Sequence, residues 1–412
     1  MLAATAPRPS VRAWPILLGA ALLLSLAMGI RQSLGLFMQP MTQSGITVAD
    51  FTFSVAVQNV VWGLSQPFVG ALADRLGFRR VAMAGSVLYA AGILCAVLAT
   101  GPLALILGTG PLLGVALSCT AASLNLSAAA RAVPEHKRSM VLGIVSAGGS
   151  LGTLVAAPMA QTLMTTDGGW QVAMLAMFGL ALLMLPAAFL MGRADKVPLP
   201  PRRAGEATSF RAALGEALRR RAFLVMAAAY CVCGLQLVFL TTHLPSYLAM
   251  CGMDPMLSAQ SLAVIGGFNI AGAYMWGWLG GIYPKHVMLG LLYLLRSVAI
   301  AAFFVFPPTP ITTLAFAATM GLLWMGVAPL TSGLVAQMFG LRYMTTILSI
   351  AFFSHQIGSF FGAWGGGIIL EMLGSYDRAW QIGVLIGLIA GTAQIAFGAD
   401  SRPTRQLRPA MA

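Results

Sequence analysis

Twelve long apolar stretches run through this chain, and its basic residues collect in every second gap between them. A helix that crosses a bilayer needs about 20 apolar residues, each rising about 1.5 Å. The stretches fall at 14–38, 51–73, 82–100, 103–130, 139–164, 170–192, 222–250, 258–282, 286–306, 311–338, 345–371 and 379–398. Of the 24 Lys and Arg residues, 21 lie in the tails or after stretches two, four, six, eight and ten. Arg378 lies in the other set of gaps, and Arg31 and Arg296 lie inside stretches. Lys and Arg are retained on the cytoplasmic side during insertion. The pattern predicts twelve spans, with both termini and the 193–221 loop cytoplasmic.

Composition agrees with a membrane-embedded chain. It is 58% hydrophobic and 8% charged, against roughly 25% charged in a soluble domain. A net charge of +13 would suggest nucleic acid in a soluble protein, but here the loop asymmetry accounts for it. No basic tract carries interleaved aromatics, so no nucleic-acid partner is expected. Arg8 and Arg12 precede an apolar run to about Met38, too long for a signal-peptide core, which reads as an uncleaved first span. Cys95, Cys119, Cys231, Cys233 and Cys251 lie in or beside the stretches and read as buried structural thiols. Cys231 and Cys233 point to different sides of a helix. Neither a disulfide framework nor a metal site is expected.

The widest gap, 193–221, carries Arg193, Lys196, Arg202, Arg203, Arg211, Arg219, Arg220 and Arg221 behind a start rich in Pro198, Pro200 and Pro201. It reads as a cytoplasmic linker, and 209–221 could form a short helix on the membrane surface. It separates a six-span half, 1–192, from a second, 222–412, which ends in a short cytoplasmic tail. The halves resemble each other weakly: Gly70 and Leu72 at the end of the second stretch match Gly277 and Leu279 at the end of the eighth. The fold class predicted is an all-α membrane protein, twelve transmembrane helices in two pseudo-symmetric six-helix halves. Such a pair of halves suits a transporter that rocks about a site at their interface.

The loop after the second stretch reads Gly70-Ala-Leu-Ala-Asp74-Arg75-Leu-Gly77-Phe-Arg79-Arg80. It closely resembles the glycine-aspartate-arginine motif between the second and third helices of the major facilitator superfamily. The resemblance implies that fold, and gives Gly70, Asp74, Arg75, Gly77, Arg79 and Arg80 a gating role at the cytoplasmic side. Other segments are Gly29-Ile-Arg31-Gln-Ser33 with Phe37 and Pro40, Thr242-His243-Leu-Pro245, Leu-Leu-Arg296, and His355-Gln356-Ile-Gly358. These are similar to the bacterial branch related to monocarboxylate transporters and oxalate–formate exchangers, which implies a bacterial inner membrane. Arg31 falls where animal monocarboxylate transporters carry an important first-helix lysine. Where those transporters place an acid–arginine pair in the eighth helix, this chain offers Asn269 and neutral neighbours.

Charged groups inside a membrane are costly and usually face a cavity or a partner. Arg31 is 17 residues from Trp14, about 26 Å along the first helix. It can clamp a carboxylate through two parallel bonds, or snorkel to the outer headgroups. Arg296 lies about 15 Å into the ninth helix. It must therefore either brace neighbouring helices or meet substrate. His355 and Gln356 stand mid-span in the eleventh stretch, near Gly358, Gly362 and Gly366. His355 is either a packing residue or a proton or anion site, and it is the plausible titrating group because mid-span acids are absent. Gln236, His243 and Tyr247 form one polar stripe on the seventh helix. Asn59, Asn125 and Trp324 are further substrate-contact candidates, with Gln58, Asn269 and Thr331; single amides are often interhelical glue.

These features point to a secondary active carrier of a small organic anion, a monocarboxylate, by alternating access. Coupling is by proton symport or by anion exchange. The expected partners are the substrate, protons and the bilayer, with the monomer as the working unit. A cavity with buried arginines and no acids repels cations. The rivals are an exporter of drugs or other hydrophobic compounds and a membrane sensor that binds without transporting. Proton-driven exporters usually carry an embedded acid and a Gly-Pro pair in the fifth helix, whereas the fifth span here has Gly148-Gly149 and a distant Pro158. No phosphate-cradling loop, His-Glu-x-x-His or nucleophile set is recognisable, so neither an enzyme nor a cofactor is expected.

Overall fold

Each apolar stretch becomes a helix, because backbone polar groups in hydrocarbon must be satisfied within their own segment. The computed structural model describes residues 12–99, 101–120, 122–133, 135–165, 168–197, 215, 217–339 and 344–399. The long helical runs are α1 (Ala13–Gln43), α2 (Val48–Leu76), α3 (Phe78–Val97), α4 (Pro102–Ala129), α5 (Glu135–Met164) and α6 (Gly169–Met191). They continue as α7 (Arg221–Met250), α8 (Pro255–Ile282), α9 (Lys285–Val305), α10 (Pro310–Phe339), α11 (344–373) and α12 (Asp377–Phe397). Among the described residues there is no strand. Among the described residues nine runs are long and apolar enough to cross a membrane, and α2, α5 and α11 match them in length. The tails, the 198–214 part of the linker and most of the proposed surface helix lie outside the described residues.

Helix pairing repeats with an offset of six. In the first half α1 packs on α5, α2 on α4 and α3 on α6; in the second α7 packs on α11, α8 on α10 and α9 on α12. The equivalent crossings use equivalent devices. Gly152 of α5 lies against the Ser25 backbone, and Gly358 of α11 lies against the Cys231 backbone. Small residues permit such approach where lipid supplies no hydrophobic drive between helices. Large apolar side chains such as Leu182 and Leu183 on α6, Val298 on α9 and Leu385 and Ile389 on α12 stay exposed. Only lipid solvates such faces without cost. The chain is a multi-pass membrane protein of the fold class expected.

The halves meet along two seams, α2 against α11 and α5 against α8. At the end away from the basic loops, Glu371 of α11 accepts from the Ala49 amide at the start of α2, 2.7 Å. Phe53 of α2 meets Trp364 of α11 edge-on, ring centroids 5.5 Å apart. The 3-10 turn Leu34–Phe37 interrupts α1 and brings Gly35 onto the Thr241 carbonyl of α7. Among the described residues, no comparable contact joins α4 to α10 or α11 at the basic end. The seams are therefore drawn together from the far end to mid-bundle.

Residues 192–196, at the start of the linker, are held against the first half as a 3-10 turn. Asp195 accepts from the Phe78 and Arg79 amides, 2.7 and 3.0 Å, and so caps the N-terminus of α3, where a carboxylate is favoured. Arg131 donates to the Val197 carbonyl from Nε and Nη2 at 2.9 and 2.6 Å.

Candidate functional site

The cation on α1 is reached by helices of both halves. Arg31 donates from Nη2 to Asn59 Oδ1 on α2 at 2.6 Å, and Asn59 is fixed by its own bond to the Val55 carbonyl, 2.7 Å. Its guanidinium carbon lies 5.0 Å from the Trp62 ring centroid, within cation–π range. Arg31 lines a small cavity with Leu34, Gly35, Val55 and Gln58 of the first half and Val238, Thr241 and Thr242 of α7. The space open to the centre of a water molecule is about 10 Å³, room for about one water.

Across the seam Gln356 packs on Gly63 beside Trp62, and Trp62 meets Phe352 edge-on at 5.3 Å. His355 stacks on Phe352 at 5.8 Å and lies against Tyr230 at 4.7 Å. Its Nδ1 faces Gln356 Oε1 at 3.0 Å. Three buried donors in this cluster have no acceptor: Arg31 Nε, Trp62 Nε1 and Gln356 Nε2. An unmade bond on a buried group costs about 1–3 kcal/mol. A site with a cation and several unspent donors is suited to an anion that brings acceptors.

The second intramembrane arginine is in different surroundings. Arg296 is fully buried. Its Nη2 donates to the Leu323 carbonyl at 2.7 Å and its Nη1 to Cys233 Sγ at 3.1 Å. Helix α10 is broken at Met325–Gly326. The Leu322 carbonyl just before the break accepts from Trp276 Nε1, 3.1 Å. Arg296 and Trp276 thus both bond to carbonyls beside the interruption in α10. Trp324, half-buried, ends the segment before that break.

Other sequence candidates spread apart. Gln236 is buried and donates to Gly383 O, 2.9 Å, and Ser297 Oγ, 3.3 Å, tying α7 to α12 and α9 rather than joining Arg31. His243 is fully buried. Its Nε2 donates to the Ala363 carbonyl at 2.7 Å, and its Nδ1 faces the Tyr376 hydroxyl at 2.9 Å. Ala363 lies in the π turn Phe361–Gly365, a geometry that disrupts the regular ladder. Gln58 donates to the Thr109 carbonyl, 2.9 Å, and Asn125 to that of Thr120, 2.6 Å. Both bonds serve packing within the first half. Asn269 is buried on α8, and Thr331 bonds back to Val327 O, 2.6 Å.

In the loop motif, Gly77 has φ +88°, a conformation glycine reaches without strain, and packs against the Asp195 carboxylate. Arg79 stacks on Phe189, 3.8 Å from its ring centroid. Gly70, Arg75 and Arg80 are exposed. The Asp74 side chain lies outside what the structure describes. Trp62, Phe352, Tyr230 and Asp195 were not among the sequence candidates, although they touch residues that were.

Residues 17–363 match the family model described as Major Facilitator Superfamily. The chain belongs to that superfamily. Among its relatives is an uncharacterized transporter-type protein of the superfamily, YcxA of Bacillus subtilis (strain 168), 24% identical over 84% of this chain and 85% of that one. Another is monocarboxylate transporter 13 of Rattus norvegicus, 25% identical over 93% of this chain and 88% of that one. The fold matches a bacterial homolog of the human lysosomal transporter Spinster, TM-score 0.73, at 15% identity over 95% of each chain. It also matches a D-xylose-proton symporter, TM-score 0.72, at 14% identity over 95% of this chain and 99% of that one. Superfamily and relatives mark a transporter rather than an enzyme.

Proposed function

We propose that this transporter carries a small organic anion, a monocarboxylate, across the cytoplasmic membrane of a bacterium by alternating access, with Arg31 as the anion site. The observation that carries the reading is Arg31 at the meeting of α1, α2 and α7 with its Nε, Trp62 Nε1 and Gln356 Nε2 all unspent. A carboxylate supplies acceptors to all three and gains charge-assisted bonds from the guanidinium. The described acids offer no competing partner mid-membrane, since Asp50, Asp195, Asp254, Glu371 and Asp377 all stand at or near helix ends. A relative named for monocarboxylates supports the same substrate class.

The basic end is proposed to be cytoplasmic, so that the closed far end makes this an inward-facing arrangement. Opening the far side requires release of the Glu371–Ala49 bond and separation of Gly35 from Thr241, as the halves 1–192 and 222–412 rock about the site. The motif residues Gly70, Asp74, Arg75, Gly77, Arg79 and Arg80 are proposed to gate the basic side. His355, beside Gln356, is proposed to carry the coupling proton where transport is symport. Uptake of labelled mono- and dicarboxylates into proteoliposomes, with and without a pH gradient, tests the reading. Uptake of a monocarboxylate that disappears in Arg31→Gln supports it; a panel in which no carboxylate is moved or bound removes it.

A further inference from the structure

The aromatic side chains at the seam are distributed in a way that core packing alone does not require. Trp62 comes from α2, Phe352 and His355 from α11, and Tyr230 from α7, so the ladder crosses from one half to the other. Its steps are 5.3 Å from Trp62 to Phe352, 5.8 Å from Phe352 to His355 and 4.7 Å from His355 to Tyr230. The Phe352 and His355 planes are nearly parallel, at 7°. Phe37 and Phe223, which serve only the core, are wholly enclosed, whereas Phe352, His355 and Tyr230 each keep part of their surface uncovered. The ladder begins at the indole against Arg31. Arg296 gives both Nη to the protein, which leaves Arg31 as the intramembrane cation for ligand among the described residues, and hence a place for one carboxylate.

Resting on the carboxylate reading above, we propose that the substrate is a monocarboxylate bearing an aromatic ring, its carboxylate on Arg31 and its ring inserted along Trp62, Phe352 and Tyr230. Ring faces and edges carry opposite partial charge, so a planar ring gains offset or edge-on contacts that an alkyl group of equal size does not. Trp62 Nε1, on the first ring of the ladder, and Gln356 Nε2 are unspent donors that a 2-oxo or 2-hydroxy oxygen beside the carboxylate can satisfy. A ring held by side chains of both halves also ties occupancy to their approach. A short carboxylate occupies the cation and leaves the ladder uncovered.

Isothermal titration on the full-length protein in nanodiscs tests this with three ligands that share one headgroup: pyruvate, 4-methyl-2-oxopentanoate and phenylpyruvate. Phenylpyruvate is expected to bind at least about tenfold more tightly than pyruvate and more tightly than the aliphatic acid. Phe352→Leu and Trp62→Phe are each expected to shrink the phenylpyruvate-to-aliphatic ratio threefold or more, a ratio read within each purified variant. Equal or tighter binding of the aliphatic acid, with all three ligands lost in Arg31→Gln, overturns the aromatic inference and leaves the carboxylate reading standing. A ratio unmoved in both ring variants likewise overturns the inference. No binding of any of the three, or binding indifferent to Arg31→Gln, removes the carboxylate reading and the inference with it.

Discussion

Two arginines stand within the apolar stretches of this chain, Arg31 on α1 and Arg296 on α9, and the membrane penalises both. Their surroundings differ in what has been done with the donors. Arg296 gives one Nη to the Leu323 carbonyl and the other to Cys233, at a point where α10 is broken. Both arginines keep Nε without a partner, but Arg31 makes one bond, to Asn59, where Arg296 makes two, and the neighbouring Trp62 Nε1 and Gln356 Nε2 are unpartnered as well. A buried donor left unspent is a cost that persists when something outside the chain repays it. A buried charge is therefore a weak sign of function by itself; what decides is whether its bonds are already used.

The largest effect that tests this contrast is on ligand binding. Arg31→Gln is expected to weaken carboxylate affinity about 30-fold or more, at about 2 kcal/mol for bonds to a charged group. Arg31→Lys should keep part of it as a point charge without the fork. Titration of the purified variants measures both, and parental affinity in Arg31→Gln would make the two arginines alike. Next in size is Arg296→Gln, where the expected loss is of protein rather than of affinity. It should lower stability in detergent by about 1–2 kcal/mol, seen as reduced folded yield and an earlier thermal transition. The surviving protein should bind within about threefold of the parent. Normal stability with weak binding would reverse the assignment of roles.

The helical stretches, their arrangement as two six-helix halves and the place of Arg31 inside a stretch were legible in the sequence because each rests on contrast. An apolar run stands out between basic loops, and a guanidinium stands out within an apolar run. Trp62 and Phe352 offered no such contrast: in a stretch where any large apolar residue is tolerated, an aromatic looks like filling until its neighbours are known. The polar stripe of Gln236, His243 and Tyr247 shows a second limit. Helical spacing places residues on one face but does not say which neighbour that face meets, and this one meets α9, α11 and α12. Asp195 was hidden for a third reason, since a cap for α3 supplied from after α6 depends on the chain folding back.

A smaller change sharpens the Arg31 side of the contrast. Asn59→Ala removes the one acceptor the guanidinium has among the described residues while leaving the charge in place. If Asn59 aims Arg31 at the ligand, carboxylate affinity should fall about fivefold, the equivalent of about 1 kcal/mol for one hydrogen bond. The loss arises because the long side chain then has to be ordered by the ligand itself. Titration reads the sign as well as the size. A rise in affinity would mean that Asn59 competes with substrate for Nη2, and that Arg31 is partly spent in the same sense as Arg296.

The smallest effect is expected on the Arg296 side, at the weaker of its two bonds. Thiol sulfur is a poor acceptor, and Cys233 lies 3.1 Å from Nη1, whereas the Leu323 carbonyl, 2.7 Å from Nη2 beside the break in α10, is a strong acceptor. Cys233→Ala should therefore cost only about 0.5 kcal/mol beyond the small cavity it leaves, because the backbone bond still holds the guanidinium. Cys233→Ser puts a better acceptor at nearly the same position and should recover that stability, which separates the bond from the volume. Neither variant should alter carboxylate affinity, since no ligand role is assigned to Arg296. A loss from Cys233→Ala as large as that from Arg296→Gln would show that the thiol, not the broken helix, is what the second arginine serves.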